Sequence, residues 1–238
     1  MDIRSIEMKL ARIERLLVGK AVPYTRPGSF SAIAKQPVAG PVHVDIEGLE
    51  GDEQGDRKVH GGPNKAVHHY AYEHYARWRE QLGALPLLEQ PGAFGENIST
   101  RGLCEADLCL GDVLRCGEVR LEVVQTRQPC WKLNDRFGVA DMALRVQQSG
   151  MTGWYYRVLE PGALEAGQML SLEHRPFPRW SLTRVLEVLY QRTLDQAALH
   201  ELSELPLVPS WRKLVDRRLQ ERRVEDWSKR LYGLDSET

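Results

Sequence analysis

Between Arg175 and Arg179 the chain reads Arg175-Pro176-Phe177-Pro178-Arg179, and its pattern changes across that segment. Each proline fixes φ and removes a backbone donor, so neither a helix nor a central strand continues through it. A stiff linker here divides the chain into two differently patterned parts. The first 175 residues are rich in glycine, proline and short apolar runs, which is the composition of strands and turns. After about Pro178 the apolar spacing becomes helical.

On the first side, Val119, Leu121 and Val123 alternate with Arg120 and Glu122, as a half-buried strand requires. Gly117-Glu118 separates this run from Val113–Cys116 and marks a hairpin. Val42–Ile46 alternates in the same way. Many short strands with frequent turn signals predict a closed or partly closed barrel, because closure removes exposed strand edges. One helix interrupts them: Tyr72, Tyr75, Trp78 and Leu82 recur at helical spacing, and Gly83 ends the run. Ile3, Ile6, Leu10, Ile13 and Leu17 also fit a helical period. Beyond the linker, Ser181 reads as the cap of one helix and Thr193 as the cap of a second. Ser210, after Pro209, opens a third. The fold class is therefore mainly β with a few helices, plus a C-terminal three-helix appendage.

The apolar fraction of 42% supports a core, and the net charge of −1 gives no global field toward nucleic acid or anionic membrane. No apolar run approaches the roughly 20 residues of a membrane span. The first residues mix charge with apolar groups, unlike a secretory signal, so the expected location is the cytoplasm. Ser210–Arg223 carries six basic residues against two acidic ones, which raises a nucleic-acid-binding regulator as one reading. Residues 176–238 as a whole hold 11 basic and 10 acidic residues, so a solvated helix face fits better and no stable nucleic-acid partner is expected.

Three segments carry chemistry-bearing residues. Gly51–Pro63 is dense in glycine, charge and histidine; taken alone it reads as a solvated charged loop. Gly92–Asn97 is a glycine-rich turn ending in an amide. Gln125–Asn134 follows the predicted strand, which must end by Pro129 because proline cannot donate to a ladder. Cys130 then sits on a loop at a strand end, flanked by Arg127 and Lys132. Nearby cations favour a thiolate, the metal-binding and nucleophilic form. Cys104, Cys109 and Cys116 read instead as small buried apolar residues, and no cysteine pair has C-x-x-C spacing.

Together these segments resemble the MOSC domain, the fold of molybdenum-cofactor sulfurase C-terminal domains. The residues concerned are Ser31–Lys35, Gly48–Asp52, Lys58–Pro63, Phe94–Asn97 and Pro129–Asn134. The resemblance is nearest to stand-alone bacterial proteins similar to 6-N-hydroxylaminopurine reductase, and it extends from about residue 13 to 233, the helical appendage included. It implies an N-terminal extension over residues 1–12, a barrel domain over 13–175 whose first strand lies near Ile13–Val18, and a helical domain over 180–234. It also implies a molybdenum cofactor (molybdopterin) bound through the thiolate of Cys130. Lys35, Lys65, Asn97, Arg127 and Asn134 are the implied cofactor-binding residues, with His60 as catalytic proton donor beside Cys130.

The implied reaction is reductive N–O cleavage in an N-hydroxylated base or hydroxylamine, a small-molecule substrate, to give the amine. A sulfur-transfer or cofactor-carrier protein using Cys130 is the alternative. The chain contains no G-x-G-x-x-G fingerprint and lacks the cysteine spacing of a ferredoxin cluster. Electrons are therefore expected from an external flavoprotein or iron–sulfur reductase. No membrane partner is expected, and a homodimer is left open.

Overall fold

The computed structural model describes residues 8–56, 61–191 and 193–233. Seven strands close a barrel: β1 (Met8–Val18), β2 (Val67–Ala71), β3 (Ile98–Thr100), β4 (Val113–Cys116), β5 (Val119–Thr126), β6 (Trp154–Glu160) and β7 (Met169–His174). Around the barrel the order is β7-β4-β5-β6-β2-β3-β1, and β1 returns to β7 with Met8 opposite Leu172. The pairs are antiparallel except β2 with β3. A parallel neighbour needs a crossover, and α1 (Glu73–Leu82) provides it, ending as expected at Gly83. The hairpin of β4 and β5 turns at Gly117 and pairs Cys116 with Val119.

Ile13, Leu16, Ile98, Leu121, Val123, Trp154 and Tyr156 fill the barrel interior. Each large side chain withdrawn from water in this way contributes about 1.5–3 kcal/mol. The first strand begins at Met8, so residues 8–12 belong to the sheet and not to an N-terminal extension. The helical spacing of Leu10, Ile13 and Leu17 has a physical cause. Register shifts occur between Lys9 and Ala11 and between Ile13 and Arg15. Each irregularity breaks the two-residue alternation, so Ala11, Ile13 and Leu16 face the barrel core, with a gap of three in place of two, while Leu17 is buried on the other side against the Gly92 turn. Ile3 and Ile6 lie outside the described residues.

After β5 come α2 (Lys132–Phe137) and α3 (Met142–Ser149). With α1 they build a second apolar cluster around Tyr75, Trp78, Phe94, Phe137 and Val146. The C-terminal unit contains α4 (Leu182–Tyr190), α5 (Gln196–Ser203) and α6 (Pro209–Glu221) around Val185, Leu199, Trp211 and Val215. Leu110 and Val124 of the barrel part join that cluster. Ser181 caps α4 by accepting from the Arg184 amide at 3.2 Å. Asp195, not Thr193, caps α5, its carboxylate accepting from the Ala198 amide at 3.0 Å. Pro209 occupies the first turn of α6, where its missing donor costs nothing, so the helix begins before Ser210. A further short helix, α7 (Ser228–Tyr232), lies beyond the predicted three. Among the described residues no helix is long and apolar enough to cross a membrane.

Candidate functional site

An open cleft of about 570 Å³ lies outside the barrel wall, and Cys130 lines it. The chain reaches this position because β5 ends at Thr126. The Arg127 amide still donates to the Gly153 carbonyl at 3.0 Å; Pro129 then has no donor to continue the ladder. The Cys130 carbonyl accepts from the Leu133 amide at 2.9 Å in the first turn of α2. Cys130 is half-buried. The other three cysteines lie elsewhere. Burial pushes the Cys104 thiol up to about 11, the Cys116 thiol up to about 12, and Cys109 in the same direction. Cys116 belongs to the barrel core.

Lys35, Lys65, Asn97 and Arg127, four of the predicted ligands, line the same cleft. With Lys132 they set four cations against the two lining carboxylates, Asp52 and Glu53. The four cations are not equivalent. Lys35 forms a buried ion pair with Asp52, whose other oxygen accepts from the Gly19 amide at 2.7 Å. Burial lowers the Lys35 pKa, and Asp52 opposes that shift. Burial also lowers Lys65, opposed by charge at Cys130. Among the described residues Arg127 donates one side-chain N–H, to the Phe94 carbonyl, and its guanidinium has further donors to offer a ligand. The Lys132 ammonium donates to the Phe30 carbonyl at 2.5 Å.

Asn97 is a framework residue. Its Oδ1 accepts from the His68 amide at 3.0 Å, and its Nδ2 donates to the Leu17 carbonyl at 3.1 Å and to Asp52 at 2.9 Å. It therefore orients Asp52 and, through it, Lys35. The preceding turn is fixed from within: the buried Glu96 carboxylate accepts from the Gly92 amide at 2.7 Å, the Phe94 amide at 3.1 Å and the Tyr75 hydroxyl at 2.5 Å. Asn134 does not reach the cleft. Its Oδ1 accepts from the Ala143 amide and its Nδ2 donates to the Leu231 carbonyl, both at 2.7 Å. It ties α2 to α3 and α7, a role the short spacing from Cys130 does not disclose. His60 and Lys58 lie outside the described residues.

His68 and Tyr155 also line the cleft, and no sequence motif marks them. Tyr155 of β6 is the cross-strand partner of His68 on β2, and the rings stack with centroids 4.8 Å apart. Alternation explains the arrangement. His69, Trp154 and Tyr156 point into the barrel, so His68 and Tyr155 face outward into the cleft. Two adjacent histidines in a strand were the available signal. Gly153, at φ +71°, admits the close approach: a Cβ there would lie 2.4 Å from the His69 carbonyl and 2.8 Å from His68 Nε2. Among the described residues the buried Nε2 of His68 has no hydrogen-bond partner, while the ring bonds the Gly95 backbone.

Burial, reinforced by Arg127, holds His68 well below the ordinary histidine value, and burial alone takes His69 down to about 3. Both rings are thus neutral when folded but protonate near pH 6.5 when unfolded. The unfolded chain binds more protons between those values, so stability is lost as pH falls below about 6.5. The expected loss between neutrality and pH 5 is about 2 kcal/mol per histidine. Urea midpoints measured across this range check it. His69→Gln should flatten the acid limb, and an unchanged slope in that variant would contradict the neutral-buried assignment.

The MOSC domain profile matches residues 56–171, and the profile of a YiiM-like, 3-alpha helix domain matches residues 180–222. The chain is 39% identical over 216 residues to Protein YiiM of Escherichia coli, covering 90% of this chain and 96% of that one. It is 35% identical to a protein named Reductase from Gibberella moniliformis, covering 90% of this chain but 37% of that longer one. The crystal structure of YiiM from Escherichia coli superposes with a TM-score of 0.78 at 32% identity, covering 93% of this chain and 99% of the other.

Proposed function

We propose, from the premise that the chain belongs to the MOSC-domain family with a YiiM-like three-helix domain, that it is a molybdenum-cofactor-dependent reductase of N-hydroxylated bases or hydroxylamines. The observation that carries this reading is the placement of Cys130 in a cleft where cations outnumber carboxylates two to one. Among the described residues no three His, Cys, Asp or Glu side chains are grouped to hold a metal ion by themselves. A metal that brings donor atoms of its own, as one carried by a dithiolene does, suits a site where Cys130 supplies a single thiolate. A soft thiolate suits such a centre. The surplus cations suit an anionic, phosphate-bearing ligand. The residues present fit the group, with Cys130 as the protein's ligand to the metal and Arg127 and Lys65 as the cations for its anionic parts.

When bound, the group supplies the two electrons of the reaction, in which the N–O bond breaks and two protons are taken up to give the amine and water. The chain's own residues bind, orient and donate. Lys65 holds a proton at Nζ, and burial makes that ammonium a stronger acid than an exposed lysine. His68 bonds the Gly95 backbone through its ring, and its Nε2 is buried beside Gly153, so the ring acts as a wall of the cleft behind Tyr155. Tyr155, with one face taken by the His68 ring, turns its cleft-lining side toward a planar base. The reductase name of the longer relative favours the redox reading over a carrier.

The test is elemental analysis of protein made in a cofactor-competent host, followed by an assay with an N-hydroxylated base. We expect about one molybdenum per chain, turnover with dithionite-reduced viologen, and none with NADH or NADPH alone, because electrons come from a separate flavoprotein or iron–sulfur partner. Protein that lacks molybdenum but carries a persulfide on Cys130 would replace this reading with sulfur transfer.

A further inference from the structure

The peptide groups that flank Cys130 are held from two sides: α2 takes the Cys130 carbonyl through the Leu133 amide, and α7 takes the Pro129 carbonyl and the Trp131 amide. The Trp131 amide precedes the first turn of α2 and would lack a partner there. It donates instead to the Arg230 carbonyl of α7 at 2.8 Å. On the other side of the cysteine, the Pro129 carbonyl accepts from Arg230 Nη1 at 2.5 Å, while Nη2 of the same guanidinium donates to Gln147 Oε1 at 2.6 Å. Arg26 reinforces the clamp: it donates to the Tyr232 carbonyl at 2.8 Å and lies 3.9 Å above the Trp131 ring.

The turn that bears Arg230 is itself anchored deep in the helical unit. Trp227 Nε1 donates to Glu225 at 2.7 Å, and the same carboxylate takes two bonds from Arg218, at 2.7 and 2.9 Å. Arg218 is fully buried and donates also to the Leu189 carbonyl at 2.8 Å. A continuous polar chain thus runs from α4 through α6 and α7 to both neighbours of Cys130. Fixing the carbonyl before and the amide after a residue fixes the direction of its Cα–Cβ bond.

We propose that Arg230, with the backbone of α7, is a positioning residue for the Cys130 sulfur, so that the C-terminal turn is part of the site on the barrel. The significance for metal binding rests on the function proposed above, but the geometry is testable on the thiol alone. In metal-free protein, alkylation of Cys130 by iodoacetamide is followed across pH, with peptide mass spectrometry separating it from Cys104. Loss of a charge-assisted hydrogen bond releases the loop, so Arg230→Met is expected to alkylate about tenfold faster. Arg230→Lys, which retains one donor for the Pro129 carbonyl, should fall between. Thermal unfolding near the wild-type midpoint would place the change in the loop.

A wild-type rate and pH profile in Arg230→Met would overturn the proposal. Should that variant not fold, amide exchange in the unmodified protein decides. The Trp131 amide is expected to be as protected as that of Leu231, which donates within α7. Exchange at the rate of an exposed loop would overturn the proposal equally. Neither readout needs molybdenum, so a chain that never binds the metal can still pass or fail this test.

Discussion

Cys130→Ser is expected to give a folded protein with no bound molybdenum and N–O reductase activity lower by at least about 100-fold, since changes one shell further from a metal already cost 10–100-fold. The hydroxyl is close to the thiol in size but is a hard, weakly acidic donor, a poor substitute at a soft centre. The residue is half-buried and interior to no apolar cluster, so stability should change by no more than about 0.5 kcal/mol. Cys104→Ser, Cys109→Ser and Cys116→Ser provide the contrast. Cys116 lies in the barrel core, and its replacement buries a hydroxyl at a cost of about 1–3 kcal/mol, but metal and activity should survive wherever the protein folds. Molybdenum content and viologen-linked turnover, measured beside a thermal melt for each variant, make the comparison. Full activity in Cys130→Ser would remove this residue from the metal.

Much of this site was legible from local chemistry. The alternation of Val119–Val123 gave β5, and Pro129 after it placed a cysteine on a loop beside cations. The cleft then brings Lys35, Lys65, Asn97 and Arg127 to that loop. What the sequence does not disclose is which polar atoms are already spent. Asn97 and Asn134 both carry amides near the motifs, yet each is consumed by backbone partners from distant segments, Leu17 in one case and Leu231 in the other. Such partners are fixed by tertiary contact and leave no periodic trace. His68 and Tyr155 were readable in principle, because strand alternation sends alternate residues to opposite faces. Which face is the site becomes evident only once Trp154 and Tyr156 are seen to fill the barrel. The short helix α7 has five residues, too few to establish a period, and its cause is the loop it satisfies.

The same distinction between spent and available charge leads to an asymmetry at Lys35 and Asp52. Asp52→Ala leaves the Lys35 ammonium buried without its counter-ion, and it also removes the acceptor for the Gly19 amide and for Asn97 Nδ2. Breaking a buried pair from this side should cost about 3–5 kcal/mol. Lys35→Met should cost less, because Asp52 keeps two hydrogen-bond donors and the methionine stem replaces most of the lysine volume. The double variant should be more stable than Asp52→Ala alone, since no isolated charge remains. The pH dependence has a definite sign. Burial already lowers the Lys35 pKa, and loss of Asp52 removes the group that opposes the shift. The unfolded chain then binds the additional proton over a wider range below about 10.4, so the deficit in Asp52→Ala should shrink as pH rises toward that value. Urea unfolding of the three variants at pH 7 and pH 9 tests both statements. Equal losses in the two single variants, with no recovery in the double, would mean that the carboxylate acts through its backbone bonds alone and that Lys35 is not held as a buried cation.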